Sequence, residues 1–223
     1  DDLVDPKLLK KNLKTMPIAR LMAGLRSSKL AVRANSAVAL GLHGKLDEGS
    51  CMGIAVLLRD ESSAVRGAAA RGLQGAADPT FSLDKLLIAS ADKAPSVIAD
   101  VAETVHARGA AIIPALVAAL QRDPSEADTQ VVPHLVAFGK EAEKPVIEAL
   151  GHDDERVRAN AIATLIQLGG STLIAHQDRI REMISDPSSV VCKLVIEALS
   201  AVDRREGTSL LEPRKPPTPG FGD

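Results

Sequence analysis

Apolar residues recur along this chain at the spacing of one helical stripe, and the whole stripe recurs as well. From Val32, mostly apolar or small positions fall at i, i+4, i+8 and i+11, which follows one face of an α-helix rather than the alternation of a strand. The same spacing begins again after offsets of 33, 32, 30, 30 and 34 residues, at Val65, Val97, Ala127, Val157 and Val191. The pattern therefore predicts six related helices.

A second helix precedes each of these six, because the same offsets align two further apolar columns. The first column holds Leu21, Ile54, Leu86, Leu116, Val146 and Ile180, and the second holds Leu25, Leu58, Ser90, Leu120, Leu150 and Ile184. Two positions after the second column, Asp60, Asp92 and Asp186 predict a short turn that caps the next helix. The second helix of each of the first five pairs ends at a glycine, a residue that suits a left-handed C-cap: Gly44, Gly75, Gly109, Gly139 and Gly169.

The repeating unit is thus a helix–turn–helix, and its copies predict one array over residues 17–202. The repeats lie near 17–44, 48–76, 80–109, 110–139, 140–169 and 171–202. Before the array, Asp5 followed by Pro6 predicts the start of an N-terminal capping helix within residues 1–16. After it, residues 203–223 are rich in proline and poor in apolar groups, so we interpret them as a tail or linker.

The composition favours closely packed helices over sheets. Apolar residues make up 45% of the chain, yet aromatic residues make up only 1%, so the core must consist of Ala, Leu, Val and Ile. Two cysteines exclude a disulfide framework and a cysteine-rich zinc site. The apolar runs are too short to cross a membrane and no signal sequence opens the chain, so we expect a cytoplasmic protein. A start at Asp1 without Met indicates a piece of a longer protein.

The repeat resembles the HEAT repeat family, in particular the short bacterial form also called PBS-lyase-like HEAT repeats. The residues that carry the resemblance are Asp60, Val65-Arg66 and Leu73, together with their copy Asp186-Pro187, Val191 and Leu199. The resemblance covers roughly four-fifths of the chain. It implies an all-α solenoid, a right-handed superhelix of about six helix pairs, whose second helices line a concave surface.

Motifs that would indicate catalysis are missing from the sequence. No histidine stands in an HExxH motif or directly before a glutamate, and no glycine-rich phosphate loop occurs. Cys51 falls in a core column, and Cys192 replaces the arginine of the other repeats without a partner at nucleophile spacing. We therefore expect no catalytic residue, no cofactor, no metal and no enzymatic activity.

An arginine column admits two interpretations. Arg33, Arg66 and Arg158 each follow the first valine of a second helix. The favoured interpretation is an arginine ladder that donates hydrogen bonds to carboxylates or carbonyls of the turns. The other is ligand binding. Ile98 and Asp128 interrupt the column in the middle repeats, and such a departure from a packing pattern points weakly to a specialised surface.

The charges are distributed unevenly, although the net charge is only −2. Residues 1–45 are strongly basic, whereas residues 123–155 hold nine carboxylates and two lysines. One interpretation is an ordinary solvated surface. The sharper hypothesis is that the acidic region, with Glu126, Asp128, Glu141 and Glu143, steers a basic partner segment. The basic end would then meet an anionic partner or another copy of the chain.

These observations favour a non-catalytic protein–protein interaction scaffold or adaptor that binds a partner along its concave face. The candidate contacts are solvent-side positions of the second helices: Arg66, Arg71, Asp100, Glu103, Asp128, Gln130, Arg158 and Asn160. One alternative is a lyase- or chaperone-like factor acting on a protein-bound ligand, as in the phycobilin-lyase relatives. A nucleic-acid-binding protein is less favoured, because the centre is acidic and no Trp or Tyr is present for base stacking.

Overall fold

The computed structural model describes residues 16–121 and 130–206, and these ranges are helical. Within them the single β feature is an isolated parallel bridge between Leu46 and Ala76. The predicted capping helix lies outside the described residues except for Met16, which is buried. The predicted tail lies outside them beyond residue 206. The all-α fold class that the sequence predicts is confirmed.

The chain divides into two compact units, 1–138 and 139–223, a division that the repeat pattern did not predict. The helices of unit 1 are α1 (Ile18–Gly24), α2 (Leu30–His43), α3 (Glu48–Val56), α4 (Ser63–Gly72), α5 (Leu83–Ala89), α6 (Pro95–Ala107), α7 (Ile113–Ala118) and α8 (Val131–Ala137). Those of unit 2 are α9 (Lys140–Ala149), α10 (Glu155–Leu168), α11 (Gly170–Ala175), α12 (Gln177–Glu182) and α13 (Ser189–Glu206). Short 3-10 turns extend α3, α4, α7 and α12 at their C-terminal ends.

These elements form six helix pairs, and local capping explains several of their boundaries. Asp47 accepts a hydrogen bond from the Ser50 N–H at 2.8 Å and so caps α3. Pro95 occupies the first turn of α6, where its missing N–H costs nothing. The first helix of the sixth pair is broken at His176, so α11 and α12 replace one continuous helix.

Four of the five glycines predicted to end second helices adopt the left-handed backbone expected of them: Gly44, Gly109, Gly139 and Gly169. Gly75 does not, and the prediction for it is wrong. A Cβ on Gly75 would fall against the carbonyl oxygen of Gly41. Gly75 is therefore needed for close backbone approach, not for a left-handed turn.

The second helices of unit 1 pack against each other more closely than the first helices do. The most extensive helix–helix contacts in the described part of unit 1 are α2 with α4 and α4 with α6. Glycines permit this approach, because a Cβ on Gly41 would lie 2.6 Å from the carbonyl oxygen of Gly72. The second-helix side of unit 1 is therefore its shorter, inward-curving side.

The predicted apolar columns form the core, with the exception of Ile184, which is 40% exposed. Leu21, Ile54, Leu86, Leu116 and Leu150 are buried, and so are Val65, Val97, Val157 and Val191 from the second helices. Cys51 is also buried, as its column predicts. Within unit 2 the main contact joins α10 and α13.

No single helix among the described residues has both the length and the apolar content to span a membrane. One pair, Pro95–Ala107 with Ala110–Gln121, passes this test only when taken together, and it is bent by 95°.

Alanine at Gly72 should destabilise the protein, because the new Cβ would meet the carbonyl oxygen of Ala37 and the two helix backbones would have to separate. We expect Gly72→Ala to lower the free energy of unfolding by about 1–3 kcal/mol. Urea denaturation followed by circular dichroism at 222 nm measures it. Gly49→Ala is the matched control, since a Cβ on Gly49 would make only an ordinary contact with the Asp47 carboxylate at 3.9 Å, and alanine should stabilise α3 by about 0.5 kcal/mol. The same sign of change in both variants would contradict the close packing described here.

Candidate partner-binding surface

The turns between paired helices are linked by arginines of the second helices. Arg66 donates from Nε to Oδ2 of Asp92 at 2.6 Å and from Nη2 to Oδ1 at 2.9 Å. Its Nη1 donates to the carbonyl oxygens of Asp60 and Glu61, at 2.9 and 3.2 Å. One guanidinium thus joins its own turn to the turn of the following pair, using the fork geometry that suits a carboxylate.

Arg33 and Arg158 repeat this geometry. Arg33 bonds Asp60 at 2.7 and 3.0 Å, and Arg158 bonds Asp186 at 2.7 and 2.8 Å. We call these three arginines, with Asp60, Asp92 and Asp186, the arginine ladder. Two of its links lie in unit 1 and one lies in unit 2.

Each ladder aspartate also shapes its own turn. Asp92 accepts from the Ala94 N–H at 2.8 Å, Asp60 from Ser62 at 3.0 Å and Asp186 from Ser188 at 2.8 Å. The carboxylate therefore orders the residues just before the second helix while it binds the arginine of the preceding pair. This is the capped turn that the aspartate column predicts.

The ladder perturbs the ionisation of its members. The bond from Arg66 holds the pKa of Asp92 below its usual range, and the bond from Arg158 does the same for Asp186. Burial alone would raise the pKa of Asp60, but the bonds from Arg33 and the Ser62 N–H outweigh it and the pKa is lowered. The same bonds raise the pKa of the three arginines.

The ladder is interrupted in the middle of the chain, where both partner types change together. In sequence, Ile98 stands at the arginine position of repeat three and Arg122 at the aspartate position of repeat four. For the next step, Asp128 stands at the arginine position and His152 at the aspartate position. In the last repeat Cys192 replaces the arginine, and its thiol donates to the Asp186 carbonyl oxygen at 3.1 Å. Cys192 thus keeps the contact within the turn but cannot reach another pair.

The structure corrects the expectation that Arg66 and Arg158 lie on the solvent side. Their side chains are only 17% and 11% exposed, because their guanidinium groups bond the turns. Partner contact at the candidate positions stays a prediction, but these two arginines offer little surface for it.

Three candidates of unit 1, the exposed Arg71 and Glu103 and the half-buried Asp100, lie together on α4 and α6. Arg71 donates from Nη1 to Oδ2 of Asp100 at 2.6 Å, across the two helices. Asp100 fits there because Gly67 has no side chain, and a Cβ on Gly67 would collide with the carboxylate. Glu103 is exposed one helical turn further along α6. We call Arg71, Asp100 and Glu103 the second-helix patch.

A buried threonine ties the two helices beneath this patch. Thr104 lies 2.9 Å from the Ala70 carbonyl oxygen and 2.8 Å from that of Asp100, so its hydroxyl bridges α6 and α4. Gln74 donates to Thr104 Oγ1 at 3.4 Å from the exposed side. The second-helix patch therefore stands on a rigid support.

The other candidates are placed elsewhere. Gln130 is half-buried just before α8, and Asn160 is half-buried on α10 of unit 2, where its carbonyl oxygen accepts from Thr164 at 2.8 Å. Asp128 lies outside the described residues. The structure therefore brings together only the three residues of the second-helix patch.

A buried polar pair joins the third and fourth helix pairs, and sequence reasoning did not predict it. His134 Nε2 and Ser90 Oγ are 2.7 Å apart, and both residues are buried. Burial lowers the pKa of His134 to about 4. The only sequence signal is Ser90 in a column that otherwise holds Leu or Ile. Since neither atom is accessible, the pair serves packing.

Arg108 has a structural role that the sequence also did not predict. It donates to the carbonyl oxygens of Pro79 at 2.5 Å and Leu73 at 3.3 Å, at the C-terminal end of the second pair. Burial lowers its pKa to about 10. A cation at a helix C-terminus is favourable there.

The acidic region is partly described. Glu141, Glu148, Asp153 and Glu155 are exposed on unit 2, whereas Glu126 and Asp128 lie outside the described residues. Glu143 is half-buried and accepts a bond from Thr172 Oγ1 at 2.6 Å, so its charge also holds α11 to α9. In the described ranges, no three His, Cys, Asp or Glu residues are grouped to hold a metal ion.

Removing one ladder arginine should destabilise its unit. For Arg158→Ala we expect the free energy of unfolding to fall by about 2 kcal/mol, because Asp186 would stay half-buried without its bidentate donor. Urea denaturation followed by circular dichroism measures this, since the chain has no Trp or Tyr. Arg179→Ala is the matched control, because Arg179 is exposed and bonds only Glu182 on its own helix. We expect Arg179→Ala to lower the free energy of unfolding by no more than about 0.5 kcal/mol. Equal losses of stability in the two variants would contradict the role of the ladder.

Acid should weaken the ladder. Because the folded pKa of Asp186 lies below its unfolded value of about 3.9, the stabilisation is complete above that value and is lost as the pH falls through the folded pKa. We therefore expect the stability difference between the wild type and Asp186→Asn to shrink between about pH 5 and pH 3. Denaturation at several pH values measures it. Protonation of His134 affects both proteins alike and cancels. A difference that stays constant would contradict this assignment.

Comparisons with known proteins support the fold. No protein-family model and no curated protein matches the chain. Among solved structures, a chain from a study of microtubule plus end tracking by XMAP215, CLIP-170 and EB1 is 15% identical with a TM-score of 0.50, over 95% of this chain and 98% of that chain.

Two further solved structures are similar over most of their length. A designed armadillo repeat protein is 16% identical, with a TM-score of 0.36, over 83% of this chain and 100% of its own. The complex of CpcE and CpcF of phycocyanin lyase from Nostoc sp. PCC7120 is 19% identical, with a TM-score of 0.40, over 89% of this chain and 90% of that chain. At such identities a likeness extends to the fold alone, which for this chain is an all-α helical repeat array.

Proposed function

We propose that this protein is a non-catalytic interaction scaffold or adaptor that binds a protein partner along the surface of its second helices. The observation that carries the proposal is the second-helix patch of α4 and α6. Arg71 and Glu103 stand exposed, with the half-buried Asp100 beside Arg71, on helices that glycine packing and Thr104 hold together, which is the arrangement a binding surface needs. The inward curve of this side of unit 1 favours contact with an extended partner.

The finer assignment is to the short bacterial PBS-lyase-like HEAT repeats. Support comes from the motif of Asp60, Val65-Arg66 and Leu73, whose members take part in the ladder and the core. The shared residues of this repeat thus serve packing, and function must depend on positions that vary between repeats.

The partner we propose carries a basic segment. The exposed carboxylates of α9 and α10 in unit 2, such as Glu141 and Glu148, would attract it, and Glu103 offers a further carboxylate in unit 1. Binding should therefore weaken as salt concentration rises.

Reversing one charge of the second-helix patch should weaken capture of the partner. We expect Glu103→Arg to reduce the amount of a stoichiometric protein partner retained from native lysate at low salt by tenfold or more, about 1.4 kcal/mol. Quantitative mass spectrometry of the retained proteins measures this. Glu103 is exposed, so the variant should fold normally.

Glu182→Arg is the matched control, since Glu182 is an exposed helical glutamate outside the patch. It should retain the partner as the wild type does. A second variant, Glu141→Gln with Glu148→Gln, tests the acidic surface through the salt dependence of retention. Equal retention by the wild type and Glu103→Arg would contradict the proposed surface. A bound pigment would favour the lyase-like alternative, and a bound nucleic acid would favour the alternative of a nucleic-acid-binding protein.

A further inference from the structure

An apolar groove lies on the opposite side of unit 1, between the first helices α3 and α5. Its volume is about 640 Å³, and its lining includes Met52, Ala55 and Val56 of α3 and Lys85 of α5. A smaller cavity of about 160 Å³ continues it past Ile88. We call this surface the first-helix groove. It lies where α3 and α5 contact each other less extensively than the second helices do.

The floor of the groove is unusually apolar for an exposed helix face. Met52 is 62% exposed and Val56 is 73% exposed, and Ile88 on the facing helix is 39% exposed. An exposed, contiguous apolar surface of this kind is typical of a binding site, and methionine adapts readily to the shape of a partner.

Charges of opposite sign stand at the two ends of the groove. Glu48 begins α3, and Arg59 ends its 3-10 extension, so both lie on the face that carries Met52 and Val56. The separation is about 16 Å along the axis at 1.5 Å per residue. Neither side chain forms a hydrogen bond or ion pair with any residue in the described ranges. By contrast, Lys85 pairs with the neighbouring Asp84 at 2.9 Å.

A second guanidinium extends the basic end. Arg26 occupies in the first pair the position that Arg59 occupies in the second, and it borders a cavity of about 450 Å³ between α1 and α3. Its side chain likewise has no bonded partner among the described residues. Met22 and Val56 line that cavity, so the apolar floor continues toward it.

We propose that the first-helix groove binds an amphipathic helix of a partner protein, about three turns long, whose acidic first turn lies beside Arg59 and whose basic last turn lies beside Glu48. This partner helix runs antiparallel to α3, which also places opposite helix-dipole ends together. Leucine-like side chains on its inner face pack against Met52, Val56 and Ile88. The surface is distinct from the second-helix patch, so one protein can hold two partners.

Two stapled, fluorescein-labelled peptides of 14 residues test this proposal. Both carry four leucines along one face. One has glutamates in the first turn and lysines in the last, and the other has glutamine at all of those positions. We expect the charged peptide to bind the full chain at least fivefold more tightly than the glutamine peptide in fluorescence anisotropy. Equal affinity would overturn the charge assignment.

Variants of exposed residues then locate the site. Val56→Asp should weaken binding of the charged peptide tenfold or more, and Arg59→Glu at least fivefold. Val190→Asp is the matched control, because Val190 is an apolar residue of unit 2 that is 55% exposed. It should leave the affinity unchanged. Circular dichroism confirms that each variant is folded.

Methionine methyl signals give a readout that does not depend on mutation. The chain has four methionines, and Met52 lies in the groove whereas Met183 is buried in unit 2. With ¹³C-methyl methionine, the peptide should shift the Met52 signal and leave that of Met183 in place. A shift of Met183 alone, or no shift at millimolar peptide, would overturn the proposal. A Met52 signal that changes on dilution without peptide would assign the groove to a second copy instead.

Discussion

The bidentate bond between an arginine of one second helix and an aspartate of the next turn sets the register of successive helix pairs at the three steps where it forms. Arg66 shows the principle, because its guanidinium bonds two carbonyl oxygens of its own turn and both carboxylate oxygens of Asp92. A core of small aliphatic side chains excludes water but specifies register weakly, since few side chains are large enough to interlock. The ladder supplies that register through directional bonds, and the glycines of α2 and α4 let the backbones approach closely enough for it to form.

Close packing of the second helices in unit 1 affects the surface on the first-helix side of the same unit. Where α2, α4 and α6 pack closely, α3 and α5 contact each other less, and the first-helix groove lies between them. The same packing leaves the charged groups of α4 and α6 on a rigid support. Both proposed binding surfaces therefore follow from the small residues of the second helices.

Much of the fold could be predicted from the sequence, because repetition makes each column of residues an independent test. The aspartate and arginine columns predicted the turns and the ladder, whereas the exposure expected of Arg66 and Arg158 and the left-handed cap expected at Gly75 were wrong. The features that the sequence did not predict depend on contacts between repeats that occur at a single place in the array. The bond between Ser90 and His134, the reach of Arg108 to Pro79 and the role of Gly75 have no counterpart in other repeats. The first-helix groove could not be predicted either. Its binding character depends on which charged side chains are exposed, and the residue types in a column do not show this.

The most direct test of this account is a double-mutant cycle on one rung of the ladder. The free energies of unfolding of the wild type, Arg66→Met, Asp92→Asn and the double variant give the coupling between the two side chains. We expect a favourable coupling of at least about 1 kcal/mol, because the pair is half-buried and bidentate. Single losses that simply add would show that the two residues act independently, and the ladder could not then be what sets the stacking.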